Sequence, residues 1–255
     1  MDATTPQSDF KENTPAQPQA TTFALFDVLG FGRRFNDLKL EGMRVAYDRL
    51  IAVARGMEVS LFLRSFPNGE GGSPTALGVF PTQSAYFSDT IILWQAYDEF
   101  PFPSFCQMCC ELMCESLPIG LPLRGALAVG PAILDKPSGV FLGSPLIEAA
   151  RMHSAQRWLG VSFCESFLEP RKYKFDPQLV LPYSEHFKDE AARRTPGLVL
   201  DWPRHWREKG YGELAAAVSA LDVEPAFHEY YANTLAFIEH SEQQHDWFKH
   251  KRITS

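Results

Sequence analysis

The stretch FALFDVLGFGRRF, residues 23–35, constrains the fold more than any other part of the chain. Its first half is almost entirely apolar with little polar alternation, which predicts a β-strand at 22–29 that is covered on both faces. A strand of that kind needs helices packed against its sheet, so an α/β layer architecture is expected. Asp27 is the only acid in the run. It must be neutralised, paired or bound to a metal ion, because a lone buried charge is costly.

The rest of the chain predicts strands and helices in the order β-α-β-β-β-α-β-β-α-β, with mixed strand directions. Ser88 and Asp89 are predicted to form the turn of a hairpin. Ser144 is predicted to be the N-cap of a helix whose first helical residue is Pro145. The elements predicted after the first strand are a helix at 36–56, a strand at 57–66, a turn-rich loop at 67–74, a hairpin at 84–94, a helix at 103–117, strands at 121–134 and 139–143, a helix at 144–155 and a strand at 158–163.

Composition divides the chain into three predicted parts. Residues 1–20 are polar and rich in Pro, Thr and Gln, which indicates a disordered tail. Residues 21–170 carry the α/β pattern and form the predicted globular domain. Residues 171–255 change to Pro, Lys and Tyr and then to two helices near 203–220 and 224–248, which indicates a C-terminal extension packed on that domain. No apolar run approaches the ~20 residues of a membrane span and no secretory signal is visible, so a cytoplasmic protein without a membrane partner is expected.

Charge and cysteine content argue against several classes of function. The net charge of −7 argues against a nucleic-acid partner, and an anionic ligand would need a local cation or a metal ion. Four of the five cysteines lie in CQMCCELMC, where Cys106, Cys110 and Cys114 recur every four residues along one helix face. No second Cys or His pair lies close enough in sequence to complete a zinc site. These cysteines are therefore predicted to be reduced thiols in the core.

Asp89 is a second isolated acid, placed at the tip of the hairpin FSDTII between apolar residues. Asp27 and Asp89 both lie at strand ends in neighbouring elements of one predicted sheet. Two carboxylates that converge in this way suit a hard cation such as Mg²⁺ or Mn²⁺, which in turn prefers phosphate-bearing ligands. In the alternative interpretation, each acid only caps a turn.

The segments LRGALAVGPAI and GVFLGSPLIEAARMHSAQRWLGVSF resemble the catalytic domain of class III nucleotide cyclases. That family has an R-x-G-I-x-x-G strand, a G-x-x-V-N-x-A-A-R helix start and an I-x-V-S strand in this order. In the same register, FDVLGF resembles the family's first metal site, F-x-D-I-x-G-F, and YDRL resembles its F-D-x-L helix end. SDTII takes the place of its G-D second metal site, and the resemblance spans 22–164. The matching positions in the distal half are Arg124-Gly125, Gly130, Gly143, Ala149-Ala150-Arg151 and Val161-Ser162.

The resemblance implies a ferredoxin-like α/β domain that acts as a head-to-tail homodimer with active sites across the interface. It implies two divalent ions, Mn²⁺ or Mg²⁺, held by Asp27, Asp89 and the backbone carbonyl of Val28. The substrate is then a nucleoside triphosphate, and the reaction is attack of the ribose 3′-oxygen on the α-phosphorus with loss of pyrophosphate.

The resemblance also implies how the phosphates are bound. Arg151, supplied by the partner chain, is expected to stabilise charge on the reacting phosphoryl group. The N–H groups of the turn from Gly30 to Gly32, with Arg33 or Arg34 beyond it, are expected to bind the β- and γ-phosphates. In the alternative interpretations, Arg151 pairs with Glu148 one turn earlier, and the two arginines of the turn are merely solvated.

The chain departs from the family at three positions. The family's transition-state Asn corresponds to Ile147, its purine-reading Lys to Ala85, and its base-pairing Asp to Val140. Because the purine-selective groups are absent, the chain is most similar to the stand-alone pyrimidine cyclases of bacterial Pycsar antiphage systems. UTP is the favoured substrate and CTP is the alternative, and a separate effector is expected to read the cyclic UMP or cyclic CMP product. Tyr47 stands in the base pocket on this interpretation, or else is a core aromatic residue.

Two alternatives remain open for the function. One is a purine cyclase acting on ATP or GTP. The other is a catalytically inactive cyclase-like module that binds nucleotides or dimerises. A relative of the GGDEF domains is a poor match, because the chain has no GGDEF-like string.

Overall fold

The fold is described by a computed structural model of the chain. Residues 1–16 of the predicted tail lie outside the described residues, and so does the predicted loop at 67–74. At the end of that tail, Gln19 and Ala20 already belong to the first strand. The structure describes residues 17–56, 60–64, 76–80, 82–97, 102–168, 175–190, 197–244 and 246–247.

The described elements follow the predicted order, with three additional strands. The described part of the chain also has two short 3₁₀ helices, Glu165–Leu168 and Pro225–Phe227. The strands are β1 (Gln19–Val28), β2 (Ser60–Arg64), β3 (Ala76–Phe80), β4 (Gln83–Phe87), β5 (Thr90–Ala96), β6 (Leu123–Asp135), β7 (Val140–Gly143), β8 (Val161–Phe163), β9 (Val180–Pro182) and β10 (Leu198–Leu200). The helices are α1 (Phe31–Gly56), α2 (Phe102–Ser116), α3 (Ser144–Ala155), α4 (Trp202–Lys209), α5 (Leu214–Ser219) and α6 (His228–Gln243).

The main sheet has the strand order β4-β5-β1-β6-β8-β10-β9, with β7 paired to β6. β1 is central and runs antiparallel to both β5 and β6. β6 and β8 pair in parallel, and the other described pairings are antiparallel. β2 and β3 form a separate two-stranded sheet. The predicted α/β class with a mixed, mostly antiparallel sheet is therefore confirmed.

The apolar run in β1 forms the middle of the core. Phe23, Ala24 and Phe26 are completely buried, although neighbouring residues of a strand point to opposite faces. Both faces of β1 are therefore covered, as its lack of polar alternation predicted. Helix α3 packs against β1 and β6.

The cysteine-bearing helix α2 is confirmed, and its thiols are core side chains. All five cysteines of the chain are buried and free. Burial raises the pKa of each thiol above its usual range, so the thiols stay protonated near neutral pH. They therefore pack in the core as small apolar groups.

Two predicted helix starts were wrong. Helix α1 begins at Phe31 rather than at residue 36, and it is interrupted at Lys39, whose backbone has φ 58° and ψ 178°. The N-cap of α3 is Gly143 and not Ser144, and no side chain caps this helix. Pro145 is therefore the second helical residue and not the first. Gly143 has φ 152°, and a Cβ there would lie 2.7 Å from the carbonyl oxygen of Pro131. A glycine is needed where the chain passes this closely, so the cap position has no side chain to offer.

The C-terminal extension is bonded into the sheet as well as packed on it. β10 pairs with β8, and β9 pairs with β10. The indole of Trp202 donates to the carbonyl of Leu159 at 3.0 Å, and the Leu159 N–H donates to Thr234 at 2.9 Å. The predicted helix at 203–220 is two helices, because Gly210 ends α4 in the left-handed conformation with φ 71°. No described helix is both long and apolar enough to cross a bilayer.

Candidate active site

A cleft of about 420 Å³ opens where β1 ends and α1 begins. Both predicted metal-binding acids, Asp27 and Asp89, line this cleft. Val28 and the turn from Gly30 to Gly32 line it as well. Most residues that the sequence analysis assigned to metal and phosphate binding therefore meet at one place.

Strand pairing brings the two acids together. The antiparallel register of β1 and β5 sets Asp27 opposite Thr90, so Asp89 lies beside the end of β1. The N–H of Val28 donates to the carbonyl of Asp89 at 2.9 Å, which fixes the hairpin tip against β1. Burial raises the pKa of Asp27, and the nearby charge of Asp89 raises it further. The two carboxylates therefore share one electrostatic environment.

Asp27 has a partner that the sequence analysis left without a role. The register of β1 and β6 sets Asp27 opposite Arg124, and the Arg124 Nε donates to the Asp27 Oδ2 at 2.9 Å. The two side chains are only 16% and 14% exposed. Arg124 partly offsets the effect of burial on the pKa of Asp27, so the acid in the buried run is paired rather than alone.

Further cationic and aromatic groups lie near this ion pair. The guanidinium of Arg124 lies 5.6 Å from the ring centre of Tyr230, and the Lys188 Nζ lies 5.9 Å from the same ring. The Nδ1 of His153 is buried without a hydrogen-bond partner. Burial, together with the smaller effects of the positive charges of Arg124 and Lys188, lowers the pKa of His153 from 6.5 to about 4. His153 is therefore neutral at physiological pH.

Replacing His153 with Gln is expected to reduce the loss of stability at acidic pH. The folded-state pKa lies below the unfolded value, so the stability present above pH 6.5 is lost as the pH falls toward about 4. Between about pH 7 and pH 5, we expect the wild type to lose about 1 kcal/mol more unfolding free energy than the His153→Gln variant. The value is reduced for solvent screening, because the ring is partly exposed. Urea unfolding at both pH values measures this change. Equal pH dependence in both proteins would contradict the assignment.

Tyr47 is bonded to the turn that carries Asp89. Its hydroxyl donates to the carbonyl of Ser88 at 2.7 Å, and its ring packs edge-on against Tyr86 with the centroids 6.3 Å apart. Ser88 has φ 54°, a conformation that is uncommon for a residue with a side chain. Tyr47 is not among the residues that line the cleft. Its predicted place in a base pocket stays a prediction, while its contact with the turn is direct.

The turn from Gly30 to Gly32 meets the C-terminal extension. Gly30 has φ 72°, which favours glycine, and a Cβ there would lie 3.6 Å from the Glu224 carboxylate. The Arg33 guanidinium donates to the carboxylate of Asp222, and Arg34 donates to the backbone carbonyl of Asp222. The two arginines are therefore not merely solvated, because the extension holds both.

Arg151 lies apart from the two acids. It is exposed on α3 and lines a separate cavity of about 930 Å³. It forms no ion pair with any residue that the structure describes. Its alternative partner, Glu148, accepts a hydrogen bond from the Ser166 N–H at 2.8 Å instead. The alternative pairing of Arg151 with Glu148 was therefore wrong for the residues that the structure describes.

The carboxylates of the cleft suit a divalent cation whose remaining ligands are water molecules and substrate phosphates. Within the ranges described, no group of three or more His, Cys, Asp or Glu side chains is arranged to hold a metal ion. Mg²⁺ usually keeps several waters and binds one or two carboxylates together with substrate phosphates. Asp27 and Asp89 match that pattern, since they offer two carboxylates at one cleft and leave the other positions open.

Two regions that contribute to the site were not predicted from the amino-acid sequence. Arg124 was quoted only as part of a motif, although its place opposite Asp27 follows once β1 and β6 are paired in register. Asp222 and Glu224 carried no sequence signal, because they lie in a short connection far along the chain from the turn that they contact.

No protein-family model and no curated protein matches the chain. Among solved structures, it is similar to a bacterial light-regulated adenylyl cyclase, with TM-score 0.45, 10% identity and coverage of 66% of this chain and 48% of that one. It is similar to the guanylyl cyclase Cya2, with TM-score 0.41, 8% identity and coverage of 58% and 77%. It is also similar to the catalytic core of a rhodopsin-guanylyl cyclase with converted specificity in complex with ATPαS, with TM-score 0.44, 13% identity and coverage of 73% and 97%. The chain spans about half the length of the first of these.

Proposed function

We propose that this chain is a nucleotide cyclase that binds a nucleoside triphosphate in the cleft beside Asp27 and Asp89. The observation that carries the proposal is that these two isolated acids, far apart in sequence, line one cleft next to a glycine turn at a helix start. That combination offers anionic ligands for cations and backbone N–H groups for phosphates. The sequence motifs around both acids support the same activity.

The reaction forms a bond between the ribose 3′-oxygen and the α-phosphorus and breaks the bond from the α-phosphorus to the bridging oxygen. The 3′-hydroxyl proton passes to solvent and pyrophosphate leaves. Asp27, Asp89 and the carbonyl of Val28 are the groups that would hold two divalent ions, Mn²⁺ or Mg²⁺. Bound ions would lower the pKa of the 3′-hydroxyl and neutralise the negative charge of the phosphates.

The chain's own residues position the substrate around these acids. Arg124 holds one oxygen of Asp27, which fixes the direction of that carboxylate. The turn at Gly30 and Gly32 directs N–H groups of the start of α1 toward phosphate oxygens. Arg33 adds a positive charge to the wall of the same cleft.

A second copy of the chain supplies Arg151 in this proposal. Arg151 and the two acids line different cavities of one chain, so a head-to-tail dimer is the arrangement that brings them together. Exposed apolar side chains lie near the start of α3: Val140 and Leu142 on one face of β7, and Ile147 on α3, at 38%, 60% and 57% exposure. Burying such side chains against a second chain is favourable.

The proposed substrate is UTP and the proposed product is cyclic UMP, a second messenger for antiphage defence that a separate effector reads. The support is chemical. Ile147, Ala85 and Val140 stand where the resembled family has the polar groups that contact the transition state and the purine. Apolar side chains at these positions make no hydrogen bonds to a purine edge.

A catalytically inactive nucleotide-binding module is the second candidate. The observation that favours it is the engagement of the cleft's cations, since Arg124 is paired with Asp27 and Arg33 with Asp222. A module of this kind would bind nucleotides and dimerise without turnover.

Incubation of the purified protein with each of the four nucleoside triphosphates and Mn²⁺ tests the proposal, with mass spectrometry of the products. We expect cyclic UMP and pyrophosphate in equal amounts from UTP. Cyclic AMP or cyclic GMP as the main product would overturn the pyrimidine assignment and keep the cyclase. Nucleotide binding without any cyclic product would favour the inactive module.

A further inference from the structure

Arg33 and Arg34 both donate hydrogen bonds to Asp222 of the C-terminal extension. The Nη2 of Arg33 donates to a carboxylate oxygen of Asp222, and the Nη2 of Arg34 donates to the carbonyl oxygen of the same residue. The side chains of Arg33 and Asp222 are 35% and 65% exposed, so water and solutes reach this contact. A single residue of the extension therefore engages both cations of the turn, in a form that solutes can displace.

The segment that follows Asp222 continues along the cleft. Glu224 and Phe227 line the cleft together with Arg33. Both side chains come within 3.6 Å of the place where Gly30 would carry a Cβ. The connection between α5 and α6 thus places the Glu224 carboxylate against Gly30 and the Asp222 carboxylate against Arg33.

The charges of the cleft affect how tightly an anion can bind at this contact. Arg124 is engaged by Asp27 and Arg33 by Asp222, while Glu224 adds a further negative group. Guanidinium groups bind carboxylates and phosphates through the same kind of charge-assisted hydrogen bond. A polyphosphate that binds Arg33 must therefore displace the Asp222 carboxylate, and one that also binds Arg34 must displace the backbone carbonyl of the same residue.

We propose that Asp222 is an internal competitor of the polyphosphate end of the substrate, so that the C-terminal extension sets how tightly the Arg33–Arg34 pair binds it. The proposal rests on the proposed function, because it takes the cleft to be the triphosphate site. It assigns the extension a role in substrate affinity. Exchange of the contact is feasible, since an exposed ion pair of this type is weak.

Replacing Asp222 with Asn tests this, because the amide keeps the shape of the side chain and removes its charge. Isothermal titration with inorganic tripolyphosphate is expected to show binding about fivefold tighter than in the wild type, the size expected for releasing one exposed ion pair. Asp222→Ser serves as a second variant, and thermal melting verifies that both are folded. Unchanged or weaker binding in the folded variants would overturn the proposal and make Asp222 a residue that orients the arginines.

Glu229→Gln is the matched control. Glu229 lies in the same extension and forms an ion pair of similar exposure, 2.8 Å from Arg157, but it does not line the cleft. We expect its tripolyphosphate affinity to equal that of the wild type. In Asp222→Asn, a further change of Arg33 to Gln is expected to remove the gain.

The titration separates the two proposals, since it needs no turnover. Tighter tripolyphosphate binding in Asp222→Asn without any cyclic product would support the competitor role and count against the cyclase. Cyclic product with no effect of Asp222→Asn would do the reverse.

Discussion

Asp89→Asn is expected to lower kcat for cyclic-nucleotide formation by about 10³-fold while leaving the protein folded. Asn is a neutral and weaker ligand for a hard cation, so the change removes the charge that is proposed to hold a divalent ion in the cleft. Asp89 forms no ion pair with the residues that the structure describes, so little stability depends on its charge. Product formation followed by mass spectrometry gives the rate, and thermal melting gives the stability.

Asp48→Asn is the control for this change. Asp48 is an exposed acid on α1 that pairs with Arg44 at 3.0 Å and does not line the cleft. Its replacement is expected to leave kcat and melting temperature close to the wild-type values, because an exposed pair contributes little. A rate for Asp89→Asn equal to that of Asp48→Asn would refute the metal-binding role of Asp89.

Mixing two inactive variants is expected to restore activity if Arg151 acts across a dimer. Arg151→Ala alone should lose about 10²- to 10³-fold in kcat, the usual effect of removing one donor to a transition-state charge. When Arg151→Ala and Asp89→Asn chains are mixed and allowed to exchange, about half of the dimers are mixed and each has one intact site. We therefore expect about a quarter of the wild-type activity in the mixture.

The control mixture combines Asp89→Asn with Asp27→Asn. Both changes lie in the same cleft, so every site in any dimer lacks one of the two acids. No recovery is expected. Recovery in neither mixture, with both variants dimeric, would show that Arg151 acts within its own chain or not at all.

Replacing Asp27 is expected to affect both the stability of the protein and its proposed metal binding, because Asp27 is paired with Arg124. Both side chains are mostly buried, and removing one partner of such a pair leaves the other as an uncompensated charge. Asp27 is therefore tied to the sheet by its ion pair, whereas Asp89 is tied to it only through the backbone of the hairpin tip. Asp89 is the cleaner position at which to separate loss of activity from loss of folding.

The local features of the site were predictable from the amino-acid sequence. The unbroken apolar run of β1 indicated a strand covered on both faces, and Ser88 and Asp89 were predicted as the hairpin turn that the structure has. The four-residue recurrence in α2 indicated buried, reduced thiols. Each of these depends on periodicity or turn chemistry within about a dozen residues, which a sequence displays directly.

Only the tertiary structure decided which charges meet. The pairing of Asp27 with Arg124 depends on the register of β1 and β6, which is set by burying whole strand faces against distant segments. The contact of Asp222 with Arg33 depends on how the extension folds back, and that follows from β9 and β10, strands of three residues each. Strands so short carry no periodic signal, because β10 is positioned by pairing with β8 and β9 by pairing with β10, and not by their own composition.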